Sequence, residues 1–598
     1  MSAAHPTNRR AVPRVAVASR LDLPRYLALL LSALLCALLL AAPAFGAQPL
    51  KPTGTAPEPR FDRLMTYEQV TALLKAYANA YPSWLELESI GKSLEGRDMW
   101  LLTLNNPATG PDLAKPAMYV DGNIHANEVQ GTEATLYTID FLLKNYGKLE
   151  RITELLDRAA FYFVPMVNPD GRAHWFAGPS TADFPRTVMV PVDDDRDGRA
   201  DEDGYDDLDG DGTITQMRKK VPMGSGGYRI DPKDPRLLVD LEGDELGDYV
   251  LLGEEGQDND GDGRVNEDTV GYVDPNRTWG WNWQPEYVQN GAGAYPLAIP
   301  ETRSIATWAL GHENIGAVQS FHNFGRMILR GPDAKADPPY PPADLKVYDL
   351  IAKQGEKLLP GYKYLISWKD LYTVFGATTE HFYRIHGAVA FTNEMYEPPT
   401  DLDGDGKVTD AERIRFSDLV TLGRQFSPWK KVEHPQYGAI EVGGYRFDVG
   451  RVPEGWMLTE EVHRNSIFVL FHAHHLPRLG LGEPSIEKAG PRLWRVQVPV
   501  TNDRAIPSMT ALAVQNKLHR PDIASIAGAK VIASGLIDDP WLDRVELQRE
   551  RPERLQVPGV AGLSTRLLYF LVEGDGEVTI EYDSLKGGKV SRKVKLQA

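Results

Sequence analysis

In the segment Tyr119-Val-Asp-Gly-Asn-Ile-His125-Ala-Asn-Glu128 an apolar run ends in an imidazole and a carboxylate three residues apart. Both are ordinary zinc ligands, and an open catalytic zinc site needs a third protein donor with one position left for water. Spacing alone decides little, because His-x-x-Glu is common by chance as a surface pair. Further along, His322 closes Ser320-Phe-His322 behind the apolar segment 317–321, and Glu394 closes Phe391-Thr-Asn-Glu394 behind 388–391. A lone carboxylate after such a strand costs burial free energy unless it is used.

These segments occur in fixed order with Asn168-Pro-Asp-Gly171, Met217-Arg218-Lys219, Asp274-Pro-Asn276-Arg277 and Tyr372. Together, over roughly Tyr67 to His475, they resemble the zinc metallocarboxypeptidases of the M14 type. The resemblance implies an α/β fold: a three-layer α/β/α catalytic domain around a mixed eight-stranded sheet, with zinc at the C-terminal ends of strands, where open α/β sheets bind ligands. Carried over residue by residue, it makes His125, Glu128 and His322 the zinc ligands and Glu394 the general base. Arg218 becomes the stabiliser of the oxyanion, and Asp274 the carboxylate that fixes one zinc-binding imidazole. Asn276, Arg277 and Tyr372 become the clasp on the substrate's terminal carboxylate, for which a guanidinium fork is well shaped. Thr379 becomes the floor of the specificity pocket; a neutral floor predicts apolar or aromatic terminal residues, with Glu380 beside it as the side chain that would reverse this. Asn127 stands where pancreatic-type members have an arginine. The implied substrates are peptide or protein C-termini. Two other readings keep some of these features: a zinc peptidase acting on peptidoglycan stem peptides, and a calcium-dependent adhesion protein without activity.

A second chemistry lies in acidic loops. Asp401-Leu-Asp403-Gly-Asp405-Gly-Lys407-Val-Thr-Asp-Ala-Glu412 matches an EF-hand loop, with Lys407 at the position that donates a backbone carbonyl. Asp193-Asp-Asp195-Arg-Asp197-Gly and Asp258-Asn-Asp260-Gly-Asp262-Gly repeat one pattern, and each runs on to a Glu-Asp pair. Carboxylates at alternating positions repel unless a cation joins them, so structural calcium is expected in these loops. Asp207-Leu-Asp209-Gly-Asp211-Gly opens the same way but has Arg218 where the closing acid would sit, and reads as an incomplete site.

The elements that must position these residues follow from patterning. Helical periodicity covers 67–81 and 129–145, and strands are expected at 85–90, 98–104, 117–121, 160–167, 317–321 and 388–392, an alternation typical of a sheet with crossover helices. The window 193–268 has 25 acidic and 9 basic residues and little apolar periodicity. It is expected to form surface insertions rather than sheet. Residues 485–598 read as a small β-sandwich domain, with strands at 493–500, 510–514, 566–572 and 577–582. The catalytic domain is then 61–482, carrying insertions 193–268 and 401–412, after a Pro-rich linker at 47–60. His472, His474 and His475 are expected at the end of the last catalytic-domain element rather than on a second metal, and Trp279, Trp281 and Trp283 in cleft walls and core. Residues 1–46, with five arginines before an apolar run and small residues at Ala42, Ala44 and Gly46, read as an export signal, giving a secreted or periplasmic protein free of the membrane after cleavage. That segment contains the single cysteine, Cys36, so the exported chain would have no disulfide. Its removal takes the net charge from −18 to −22, which excludes nucleic acid as a partner.

Overall fold

The computed structural model describes residues 47–180, 184–446, 451–539, 541–542 and 544–597. The expected export signal and Cys36 lie outside these residues. Eight strands build the central sheet: β1 (Leu85–Lys92), β2 (Asp98–Leu104), β3 (Ala117–Gly122), β4 (Ala160–Val164), β5 (Ile315–Asn323), β6 (Met327–Arg330), β7 (Lys363–Ile366) and β8 (Val389–Met395). Their order is β1-β2-β4-β3-β5-β8-β6-β7. The four central strands β4, β3, β5 and β8 run parallel. β1 and β2 add antiparallel at one side, and at the other β6 is antiparallel to β8. Every residue of β3, β4 and β5 is buried, as in a parallel sheet covered on both faces.

Helices Gln130–Asn145, Pro342–Leu358 and Gly455–His474 cover one face, and Pro300–Leu310 and Thr378–His386 the other. The expected helix at 67–81 spans Tyr67–Ala80, opened by a capping box between Thr66 and Gln69, with Val70, Leu74 and Tyr77 as its buried stripe. The helix Gln130–Asn145 starts almost on the sheet. A Cβ at Gly122 would lie 2.6 Å from the backbone of Gly131, and one at Gly131 would lie 2.9 Å from Phe321 Cβ. Two glycines therefore set the approach that brings Glu128, just before this helix, to the strand ends.

The acidic window departs from expectation. Gln216–Lys220, Tyr228–Ile230, Leu238–Asp240 and Tyr249–Glu254 join Phe426–His434 and Gly438–Tyr445 in a six-stranded antiparallel sheet. These strands have three to nine residues and bury few apolar side chains, among them Met217, Tyr249, Phe426, Ile440 and Val442, and the pairing of 216–218 with 441–443 joins segments more than two hundred residues apart. Local periodicity has no access to such pairing.

Two further sheets at the C-terminus share a core of Val496, Val498, Val500, Phe570, Ile526, Ile580 and Tyr582, in a β-sandwich arrangement. Here the segment 510–514 is not a strand: Thr510 caps the helix Ala511–Asn516, and the Asp344 carboxylate accepts from Ala511 and Leu512 N–H. Pro49–Ala598 forms one compact unit. The buried Lys586 ammonium donates to the carbonyls of Glu313 and Ile315 at the start of β5, tying the sandwich to the central sheet. His472 is buried against Phe391, and Trp279 lies in the main core. Among the described residues no helix is long and apolar enough to cross a membrane.

Candidate active site

β3 ends at Gly122, and Asn123, in a left-handed conformation with φ 55°, turns the chain so that its carboxamide donates to the His125 carbonyl at 2.8 Å. This places His125 and Glu128 beside the end of β5, where His322 lies in register with Glu394 of β8. The donor atoms converge: His125 Nδ1 is 2.9 Å from Glu128 Oε1, His322 Nδ1 is 3.1 Å from Glu128 Oε2, and the two Nδ1 atoms are 3.2 Å apart. Zinc bonds of about 2.0–2.2 Å hold tetrahedral ligands about 3.3 Å apart, so the triad fits one such ion.

Partners behind the triad orient it. Asp274 Oδ1 faces His125 Nε2 at 3.1 Å, which leaves Nδ1 for a metal, and Asn323 N–H donates to Glu128 Oε2 at 3.0 Å. Burial opposes ionisation of Glu128 and Asp274, yet both are held well below the usual carboxylate range, Glu128 by His125 and His322 and Asp274 by Arg277, His125 and Arg186. Glu394 behaves in the opposite way. Desolvation, helped by the charge of Glu128, pushes its carboxyl up to about 7.

His125, Glu128, His322, Glu394, Asn276, Arg277, Tyr372 and Thr379 all line one cavity of about 240 Å³, with Asp274 directly behind it. Asn276 Oδ1 accepts from Thr378 N–H and Oγ1–H, both at 2.9 Å, so its amide group remains for a ligand. Tyr372 is 56% exposed at the mouth.

Arg218 is not part of this cavity, which corrects the role expected for it. It sits in the six-stranded sheet, its Nε 2.8 Å from Glu441 and its guanidinium 3.8 Å above the Trp429 ring. Besides Arg277, the arginines at the cavity are Arg186 and Arg451. Arg186 Nε bonds Asp274 Oδ2 at 2.9 Å, and Arg451 Nη2 lies 3.4 Å from Asn127 Oδ1 and 3.6 Å from Glu128 Oε1. Arg451 thus reaches the cavity, beside Asn127, from a segment far along the chain. Neither arginine has a sequence signal beyond being an arginine.

Glu380 points away from the cavity and is paired with Arg384 and Tyr340. A different acid, Asp333, lines the pocket with Thr379, Thr392, Ser367 and Leu329. It is 4% exposed, its Oδ2 has no partner, and burial with the nearby charge of Glu380 pushes its carboxyl up to about 8.

The four acidic loops share one geometry. The first aspartate of each, Asp193, Asp207, Asp258 and Asp401, accepts from the glycine N–H five residues on, at 2.8–3.1 Å. Asp195, Asp209, Asp260 and Asp403 accept from the N–H two residues on. In the loop of Asp401, Asp403, Asp405 and Lys407, Glu412 accepts from Leu402 with one oxygen and from Thr409 with the other, closing the capping box of helix Asp410–Val420. The Asp207 loop finds a substitute for its missing acid in the buried Glu255, which accepts from Leu208 N–H, and Lys430 Nζ lies 2.9 Å from Asp209.

Known protein families match this chain in two regions. A family model described as zinc carboxypeptidase matches residues 70–205 and 252–411, passing over the strands around Arg218, and a model described as a domain of unknown function matches 478–595. Mouse carboxypeptidase M is 36% identical over 104 residues, 17% of this chain and 24% of that protein. An inactive metallocarboxypeptidase of Ajellomyces dermatitidis is 37% identical over 102 residues, 17% of each. The chain therefore spans a quarter or less of these curated relatives. Carboxypeptidase A from Helicoverpa armigera overlays with a TM-score of 0.43 at 18% identity, covering 75% of this chain and 80% of that one, a likeness too loose to add to the strand order itself. The family match, together with the fold and the His125, Glu128 and His322 cluster, shows that the chain belongs to the M14 zinc carboxypeptidase family.

Proposed function

We propose that this protein is a zinc-dependent carboxypeptidase that removes residues from the C-terminal ends of peptides. The observation that supports it best is the opening of one small cavity onto a metal-competent triad, an acid poised to exchange protons, and a guanidinium-amide pair suited to a terminal carboxylate. His125, Glu128 and His322 would hold the zinc, which supplies a Lewis acid that polarises the scissile carbonyl and acidifies water.

The chain's own residues do the rest. Arg277 and Asn276 bind the terminal carboxylate, and Tyr372 closes the mouth over it. That clasp separates a carboxypeptidase from an endopeptidase. Arg186 and Arg451 face the negative charge that develops on the carbonyl oxygen. Glu394, with its carboxyl near neutrality, takes a proton from the attacking water and delivers it to the leaving amine. The side-chain pocket has one acid, Asp333, among neutral residues, and this favours a basic terminal residue over the apolar one expected from Thr379 alone. Calcium in the acidic loops, export by residues 1–46 and the division at residues 482–485 belong to the same proposal.

The test is mass spectrometry of a peptide mixture incubated with zinc-loaded protein and with its Glu394→Gln variant. Stepwise C-terminal shortening by the first, and none by a folded, zinc-containing variant, is expected. Internal cleavage, or the same ladder from both proteins, would overturn the reading. No cleavage by a zinc-replete protein would leave the adhesion reading in its place.

A further inference from the structure

The two repeated loops face each other. Asp203 and Asp268, the last residues of the two repeats, form an antiparallel bridge. Across it the side chains exchange partners: Asn259 N–H of the second loop donates to Asp203, and Asp194 N–H of the first donates to Asp268. The carboxylates cross over in the same way. Donor oxygens of Asp197, Glu202 and Asp260 lie within 4.8 Å of one another, as do those of Asp203, Asp260 and Glu267. Each cluster therefore takes an aspartate from the opposite loop, and Asp260 belongs to both.

Acidic clusters on a surface are common, but this one has a buried part. Asp268 is 1% exposed, and its Oδ2, with no hydrogen-bond partner, faces the Glu202 carboxylate. Both oxygens of Glu202 and both of Glu267 are likewise shielded and unpartnered. Carboxylates about 4 Å apart repel by roughly 1–4 kcal/mol per pair near a surface. Arg264, 3.7 Å from Asp262, makes a long ion pair with that loop acid. A calcium-type ion with ligands at about 2.3–2.6 Å gathers oxygens that lie within about 5 Å of each other, which matches these clusters.

The chain leading into and out of the pair is the chain that builds the active site. Arg186 precedes the first loop by seven residues, and Asp274 follows the second by six. The two connecting segments are tied by the Val188 N–H to Val273 carbonyl bond at 2.9 Å and by a small core of Val188, Val273 and Ile299. We propose that loops 193–203 and 258–268 form one composite site for a pair of calcium-type cations, each ion completed by an aspartate of the opposite loop, Asp260 for one and Asp203 for the other. The pair clasps the two segments that carry Arg186 and Asp274–Arg277 into the cavity. This rests on reading the loops as calcium ligands, and it adds their interdependence and their hold on the active site.

The test uses the full, zinc-replete chain. Bound calcium is counted by elemental analysis after equilibrium dialysis, for the wild type, for Asp195→Asn/Asp197→Asn and for Asp260→Asn/Asp262→Asn. A composite site loses both ions in either variant, and KM for a peptide with a free C-terminus rises about tenfold while zinc content stays constant. Loss of one ion from each variant, with the other retained, means independent loops and overturns the composite while leaving calcium in place. No calcium difference between wild type and either variant overturns the calcium reading as well. Unchanged KM after loss of both ions overturns the hold on the active site.

Discussion

The His125, Glu128 and His322 triad and the paired acidic loops both gather metal-competent donors, and they do so by opposite means. At the triad, β3 and β5 fix the backbone, and two of the three donor side chains have a protein partner behind them, Asp274 for His125 and the Asn323 N–H for Glu128. In the loops, the aspartates are oriented by N–H groups of the same short turns, and buried oxygens of Glu202, Glu267 and Asp268 are left without partners. A buried acid without a donor costs free energy until a cation binds. The Asp207 loop, next in sequence, shows the intermediate solution, in which Lys430 brings its own ammonium to Asp209. Catalysis needs geometry held by a sheet, whereas an insertion with little core is stabilised by charge.

One arginine in each region gives the sharpest way to break this comparison, and the largest effect. Arg186→Met removes a donor at the cavity and should lower kcat/KM by about a hundredfold to a thousandfold, with the melting temperature nearly unchanged. Arg218→Met should leave kcat/KM within a few-fold but cost about 1–3 kcal/mol, because Glu441 loses its partner and Trp429 its stacked cation. Steady-state kinetics and thermal melts on both variants check this. The reverse pattern, with Arg218 controlling turnover, would restore the role its sequence context suggests.

That contrast also marks how far the sequence is legible. The triad and Glu394 sit at the ends of apolar strands, so element and ligand announce each other, and the central sheet can be read with them. Asn276 and Arg277 follow Asp274 in a compact motif that folds as one 3-10 turn, Pro275–Arg277. Arg186, Arg451 and Asp333 reach the cavity from loops of no fixed spacing, and nothing in their neighbours' types distinguishes them. The six-stranded sheet escapes for a related reason: its strands are short and charged, and they become strands only when 426–445 pairs with 216–220. At 510–514 a short apolar run suits a strand as well as a helix, and the capping hydroxyl of Thr510 and the Asp344 carboxylate, distant in sequence, select a helix.

Inside the rigid site, one acid lacks a cation just as the loop acids do, and this yields the next prediction. Asp333, buried and with one oxygen unpartnered, should meet the ammonium or guanidinium of a substrate's terminal Lys or Arg. Asp333→Asn should lower kcat/KM for peptides ending in Lys or Arg by about tenfold, or about 1.4 kcal/mol, relative to peptides ending in Leu or Phe. Competition between matched peptides measures the ratio directly. A wild-type enzyme that already prefers Leu or Phe, and a variant that does not alter the ratio, would return specificity to the neutral floor at Thr379.

A buried acid with neither an ion nor a substrate to meet tests whether charge without a partner is as costly in the sheet region as in the loops. Glu301 lies in the first turn of helix Pro300–Leu310, where the helix dipole favours a negative charge, yet burial prevails and pushes its carboxyl up to about 7. One oxygen accepts from Leu94 N–H at 3.3 Å and the other is unpartnered. The folded state therefore keeps its proton between about pH 4.5 and 7, where the unfolded chain has already lost it. By linkage, stability from this group is fully present below about pH 4.5, falls as pH rises through 7, and is absent above. Glu301→Gln retains the acceptor for Leu94 and removes the charge. It should match the wild type near pH 4.5 and exceed it by about 1–3 kcal/mol at pH 8. Denaturant unfolding of both proteins at the two pH values tests this; an equal difference at both would mean that shape, not charge, sets the cost at Glu301, and would weaken the same reasoning for Glu202 and Glu267.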